Sequence, residues 1–166
     1  MHTRLITLLL TCVCGLAAAQ TPPSPAEIAS YRGLHRAAHE GRAADIREPR
    51  QAARTWRRAT APDEPRVHAA AFASHDEALA ALAHAGADLN ALDASAYDAV
   101  TIAAVANDPE LMSLAISLGN SPAQVTSPYD GTALIAAAHL GHAEVVARLA
   151  AAGALRIMST IWVGPR

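Results

Sequence analysis

Lysine is absent from this chain of 166 residues: all 13 basic side chains are arginine. With 15 acidic residues the formal net charge is -2. A nucleic-acid partner needs a basic face, and this balance gives no reason to expect one. Aromatic residues make up only 4% of the chain, with one phenylalanine, three tyrosines and two tryptophans. A core built around large rings is therefore excluded. Alanine dominates instead, and side chains this small let helices pack closely. The two cysteines, Cys12 and Cys14, both lie within the first twenty residues. Removal of that stretch would leave a protein with neither disulfide nor thiol chemistry.

The same stretch holds the longest apolar run. His2 and Arg4 give a polar, basic start, Leu5 to Leu16 form an apolar middle, and Ala17-Ala18-Ala19 has the small-x-small form of a signal-peptidase site. The run falls short of the ~20 residues that span a bilayer. Residues 1–19 are read as a signal peptide cleaved before Gln20, which implies a periplasmic or secreted protein with no membrane span after cleavage. Thr11-Cys12-Val13 is a poor match to the run that precedes a lipidated cysteine. A lysine-free, alanine- and arginine-rich chain fits a GC-rich bacterial genome.

What is present is a period. Val67, Val100 and Leu134 start equivalent apolar runs, spaced by 33 and 34 residues, and Leu34 lies another 33 upstream of Val67. Ala37, Ala70, Ala103 and Ala137 share one position, and Gly86, Gly119 and Gly153 each close a unit. Two short helices per unit, with a break at Ser74-His75 in the clearest case, predict an all-α fold of stacked helix pairs. One pair cannot bury its own apolar stripe, so neighbours must cover it. The shared alanines are expected where backbones approach closest, with Leu79, Met112 and Val146 filling the second-helix layer.

Local signals place the ends. Thr21-Pro22-Pro23 reads as an extended linker. Ser24-Pro25-Ala26-Glu27 opens a short helix with a capping box, and Gly33 is expected to end it. Residues 20–33 thus form a linker and a helix expected to cover the first unit. Asp108-Pro109 cap a second helix over 109–118. Glu77, Glu110 and Glu144 recur near second-helix N-termini, where they favour the helix dipole.

Two stretches break the pattern. Residues 47–66 are dense in arginine and carry Pro49, Pro62 and Pro65. A structureless loop of this length is uncommon in a compact domain. Codons compatible with Ala52 to Pro65, shifted by one base, spell GADLEARDGAGRTP, the turn expected there. Codons for Arg156 to Pro165, shifted, spell DHVNNLGWT, a further such turn. Both stretches, 47–66 and 155–166, are therefore expected to reflect frame errors, with more repeat beyond Arg166 in the intact gene. The nucleotide sequence decides this, and the idea fails if no single-base shift restores the repeat.

Gly131-Thr132-Ala133-Leu134-x-x-Ala137, Gly141-His142-x-Glu144-Val145-Val146 and Gly86-Ala87-Asp88-Leu89-Asn90 resemble the ankyrin repeat. The resemblance covers 34–154, about four repeats, apart from the irregular stretch. Asp98 departs from the family's usual threonine, and Thr101 and Ile135 stand where a histidine, kept as His35 and His68, is usual. The resemblance implies a curved solenoid of antiparallel helix pairs with projecting β-turns. It implies that His35 and His68 bond the adjacent turn. It also implies partner binding through the concave face and turn tips. Mapped here, that surface comprises His39 and Glu40, Phe72 and Ala73, Val105 and Ala106, His139 and Leu140, with Ser95, Tyr97, Pro128 and Tyr129 at the tips. Two readings of Phe72 stand open: an exposed anchor for a partner, or a ring folded inward among small neighbours.

Eight histidines raise a rival class, a metal-dependent or hydrolytic enzyme using a His-lined face. A catalytic zinc needs three protein ligands and a dry pocket. His35 and His39 share one helix, but no third ligand is evident and no HExxH spacing exists. Ser74-His75-Asp76 are consecutive, so they cannot form a triad, and they read as helix-break and cap residues. There is no GxSxG elbow and no phosphate-cradling glycine loop. The expectation is a non-catalytic, monomeric module that binds a protein partner, without cofactor or metal. A third alternative is a non-functional frame-shifted product.

Overall fold

A computed structural model describes residues 22–47, 64–126 and 131–157. Residues 1–21, with the segment expected to be a signal peptide, most of the irregular stretch, Pro128, Tyr129 and the end of the tail lie outside the described residues. Nine α-helices and one 3-10 helix are found among them. The helices are α1 (Pro25–Ser30), α2 (Gly33–His39), α3 (Ala43–Arg47), α4 (Glu64–Phe72), α5 (Asp76–His84), α6 (Ala99–Val105), α7 (Pro109–Ser117), α8 (Ala133–Leu140) and α9 (Ala143–Ala151). The chain is all-α as expected, and the only β pairing among described residues is an isolated Val125–Thr132 bridge.

Helix starts follow the local chemistry. The Ser24 hydroxyl accepts from the Glu27 amide at 3.3 Å, and the Glu27 carboxylate accepts from the Ser24 amide at 2.7 Å, completing the capping box of α1. Asp98 caps α6 through the Thr101 amide at 2.8 Å, and Asp108 caps α7 through the Leu111 amide at 3.0 Å. His75 holds the cap position of α5 without any side-chain cap bond, so the break residues Ser74-His75-Asp76 supply one cap position but no capping side chain. Gly33 opens α2, at φ 53°, where the sequence had it closing α1; α1 ends one turn earlier, at Ser30. Arg47 still belongs to α3, and α4 begins at Glu64, so both edges of the irregular stretch are helical.

Helix ends repeat one device. The carbonyls of Ala37, Ala70, Ala103 and Ala137 accept from the amides of Arg42, His75, Asp108 and His142 at 2.8, 3.0, 2.9 and 2.9 Å. The residue before each donor is left-handed: Gly41, Ser74, Asn107 and Gly141, with φ of 69°, 52°, 56° and 78°. This six-to-one bond stops the helix and reverses the chain. Two units adopt it without glycine, and Ser74 carries the greater steric cost because asparagine tolerates this region better.

The four first helices, α2, α4, α6 and α8, each pack on the next, and α3, α5, α7 and α9 do the same in a second row. Leu34, Val67, Val100 and Leu134 occupy matching buried places in the first row. Ala37, Ala70, Ala103 and Ala137 are sealed between helices. Leu79 and Met112 fill the second row as expected, joined by Leu82, Leu111, Val145 and Leu149. Val146 is only half-buried, and among the described residues no helix pair follows α9. Ile135 is 43% exposed, whereas its counterpart Thr101, covered by the α8–α9 pair, is 1% exposed. No helix among the described residues is long and apolar enough to cross a membrane.

Candidate binding face

The row of first helices sets the geometry of the candidate surface. His39, Phe72 and Val105 are the last residues of α2, α4 and α6, and His139 and Leu140 close α8. Helices packed in that order bring these ends into one line. Leu140 is 48% exposed and His139 is exposed. Val105 is half-buried, and its neighbour Ala106 is exposed. Glu40 is exposed but already committed, accepting from Arg36 at 2.7 Å and Arg42 at 2.9 Å. Phe72 combines the two readings offered for it: the ring packs against the core and also lines a groove.

That groove encloses a volume of about 500 Å³ between α1 and the 92–95 turn, with Phe72 and Ala69 of α4 between them. Helix α1 buries none of its own residues, so it forms a wall more than a lid on the core. Its contact with α2 runs through Tyr31, whose ring stacks on His35 at 3.7 Å and meets the edge of His39 at 5.5 Å. Burial and the nearby Arg66 charge, with a smaller push from His39, hold the His35 imidazole below its usual value. His35 therefore stacks on Tyr31 in this fold; the turn bond expected of it falls among residues not described. The bond is present in the next unit, where His68 Nε2 lies 2.9 Å from the Ala91 carbonyl.

The turn opposite α1 is fixed by Asp93, whose Oδ1 accepts from the amides of Ser95 at 2.8 Å and Tyr97 at 2.9 Å. Ser95 is exposed at the tip, while Tyr97 is half-buried against the core. Behind this turn lies a polar network the sequence reading did not find. Asn120, 2% exposed, donates to Asp98 Oδ2 at 2.8 Å and to Asn90 Oδ1 at 3.1 Å, and accepts from the Val100 amide at 3.1 Å. Thr101 and Thr126 hydroxyls meet at 2.6 Å, and Gln124 donates to the Asn90 carbonyl at 2.8 Å. Burial pushes the Asp98 carboxyl up, against the pull of the Thr101 and Asn120 hydrogen bonds.

Two further histidines are spent locally. His142 Nδ1 lies 2.9 Å from the Ala104 carbonyl and His84 Nδ1 lies 2.7 Å from the Ala80 carbonyl. Tyr31 contacts both His35 and His39, the pair that shared a helix face in the metal alternative. Among the described residues no group of three or more His, Cys, Asp or Glu could hold a metal ion. Compared with known proteins, the sequence matches no family model and no curated protein.

Proposed function

We propose that this chain is an exported ankyrin-type solenoid whose concave face and turn tips bind a protein partner, without catalysis of its own. The observation that carries the proposal is the stacking of the first helices: α2, α4, α6 and α8 pack in order, and the equivalent positions His39, Phe72, Val105 and His139, with Leu140 beside the last, fall at their ends. A row of this kind offers the apolar anchors Phe72 and Val105 between His39 and His139, with the exposed Leu140 next to His139. The repeated period, the shared left-handed helix stops and the Gly131–Ala137 motif support the family reading. The segment 1–19 supports export to the periplasm or beyond.

The test is capture of partners from a periplasmic extract with the purified mature chain. Phe72→Ala, Tyr97→Ala and Leu140→Glu are compared, each checked by thermal melting so that a fold defect is not mistaken for a binding defect. Leu140→Glu alters an exposed side chain and leaves the core untouched. Loss of a captured protein with folded variants supports the reading. An unchanged set of captured proteins in all three removes the proposed surface.

A further inference from the structure

The groove between α1 and the 92–95 turn has a more definite chemistry than the rest of the face. Its walls offer aromatic rings at Tyr31, His35 and Phe72 and carboxylates at Glu27 and Asp93. The carboxylates come from opposite walls, Glu27 from α1 and Asp93 from the turn. Each is held in place by one oxygen only: Glu27 Oε2 accepts from the Ser24 amide, and Asp93 Oδ1 accepts from Ser95 and Tyr97. The Ser24 bonds also keep the Glu27 carboxyl below its usual value, so it is anionic near neutrality. Among the described residues no arginine lines the groove; Arg66 acts on His35 from α4 and is itself engaged, and His68 is bonded to the Ala91 carbonyl.

We infer that this groove takes a segment of the partner that presents an arginine or lysine side chain between apolar residues. This rests on the protein-binding reading above and names the chemistry of its partner. An apolar segment alone would cover Glu27 and Asp93 and strip their hydration without compensation. An acidic segment would add like charge. A cation offsets the carboxylate charge and is attracted to the aromatic lining, while its apolar neighbours cover Phe72. The rim position of the charges makes the preference sensitive to salt.

The experiment uses the mature chain and two dye-labelled, end-blocked peptides, one alternating leucine with arginine and one alternating leucine with glutamate, followed by fluorescence anisotropy. The arginine peptide is expected to bind and to weaken as salt rises, and the glutamate peptide to bind about tenfold more weakly or not at all. Glu27→Gln and Asp93→Asn each lower arginine-peptide affinity about two- to fivefold, the range of an exposed ion pair. Both keep the local acceptor, so their melting curves stay with wild type. Equal binding of the two peptides, or wild-type affinity in both variants, overturns the inference. Should Leu140→Glu abolish partner capture while the arginine peptide shows none of this behaviour, the binding face survives and the charge preference of the groove falls.

Discussion

The third helix pair departs from its neighbours at two buried positions, and the departures are partners. Asp98 stands where the fourth pair has Thr132, and Asn120 stands where the second and fourth have Ala87 and Ala154. The two meet at 2.8 Å, both nearly sealed from solvent. Asn120→Ala alone leaves the Val100 amide and one oxygen of a buried carboxylate without a partner. Each such orphan costs about 1–3 kcal/mol, so the variant should lose about 2–6 kcal/mol. Asp98→Thr alone keeps a capping oxygen for Thr101, as Thr132 does for Ile135. It also leaves Asn120 its bond to Asn90, for a loss of about 1 kcal/mol. The double variant restores the neighbouring pattern and should lose far less than the two singles added, a coupling of about 1–3 kcal/mol. Against a domain stability of about 5–15 kcal/mol, these shifts are readable by urea denaturation.

The pH dependence gives the same cycle a second check. Burial raises the Asp98 carboxyl in the folded state above its unfolded value near 3.9. Its protonated form therefore contributes stability that is complete below that value and is lost as pH rises through the folded one. The cost of Asp98→Thr should be largest near the acid end and shrink toward neutrality. The cost of Asn120→Ala should do the reverse, because the orphaned carboxylate is harmless once protonated. Additive singles, or two penalties that run parallel in pH, would refute the coupling.

Three further outcomes follow from the same packing. Ala103→Leu forces a larger side chain between α6 and its neighbours, where Ala103 is fully buried, and should cost about 1–3 kcal/mol in denaturant melts. Ser74→Gly removes a left-handed non-glycine residue and should stabilise by about 0.5–1 kcal/mol, more than Asn107→Gly, in the same assay. His35 is held below its usual value, so its neutral form contributes stability present above the unfolded value near 6.5 and lost as pH falls through the folded one. Replacing it by phenylalanine, which keeps a ring for Tyr31, should flatten that part of the stability profile measured by denaturation at stepped pH.

The period made the helical layers legible, because what sets them recurs in every unit. An alanine where helices touch and a left-handed residue after each first helix return every 33 or 34 residues. A glutamate in the first turn of α5, α7 and α9 obeys the same rhythm. The groove was less legible. It depends on where α1 lies, and α1 belongs to no repeat. Phe72 was singled out for being the only phenylalanine, but nothing in the sequence set Glu27 and Asp93 on facing walls. The turn bond expected of His35 concerns residues outside those described, and its stacking partner Tyr31, four residues earlier, lies outside the repeat as α1 does.

Asn120 was invisible to the same reading for a sharper reason. A repeat is recognised by averaging its units, and averaging discards whatever one unit does alone. Read singly, Asp98 in place of threonine looks like a capping change, since either side chain accepts from the Thr101 amide. Asn120 in place of alanine looks like an intrusion into the core. Only their meeting across 22 residues shows that one answers the other. The carboxylate would be expensive to bury without the amide, and the amide would be expensive to bury without Asp98 and Asn90. Such a pair favours one turn beside one helix over its neighbours, because the second and fourth units cannot satisfy it: Ala87 and Ala154 offer no acceptor or donor on their side chains. In a stack of near-identical pairs, where slipping by one unit costs little apolar contact, a polar match at one junction penalises the wrong register. The double variant tests that role as well as stability, since it should fold with nearly wild-type strength yet lose the penalty on misaligned turns.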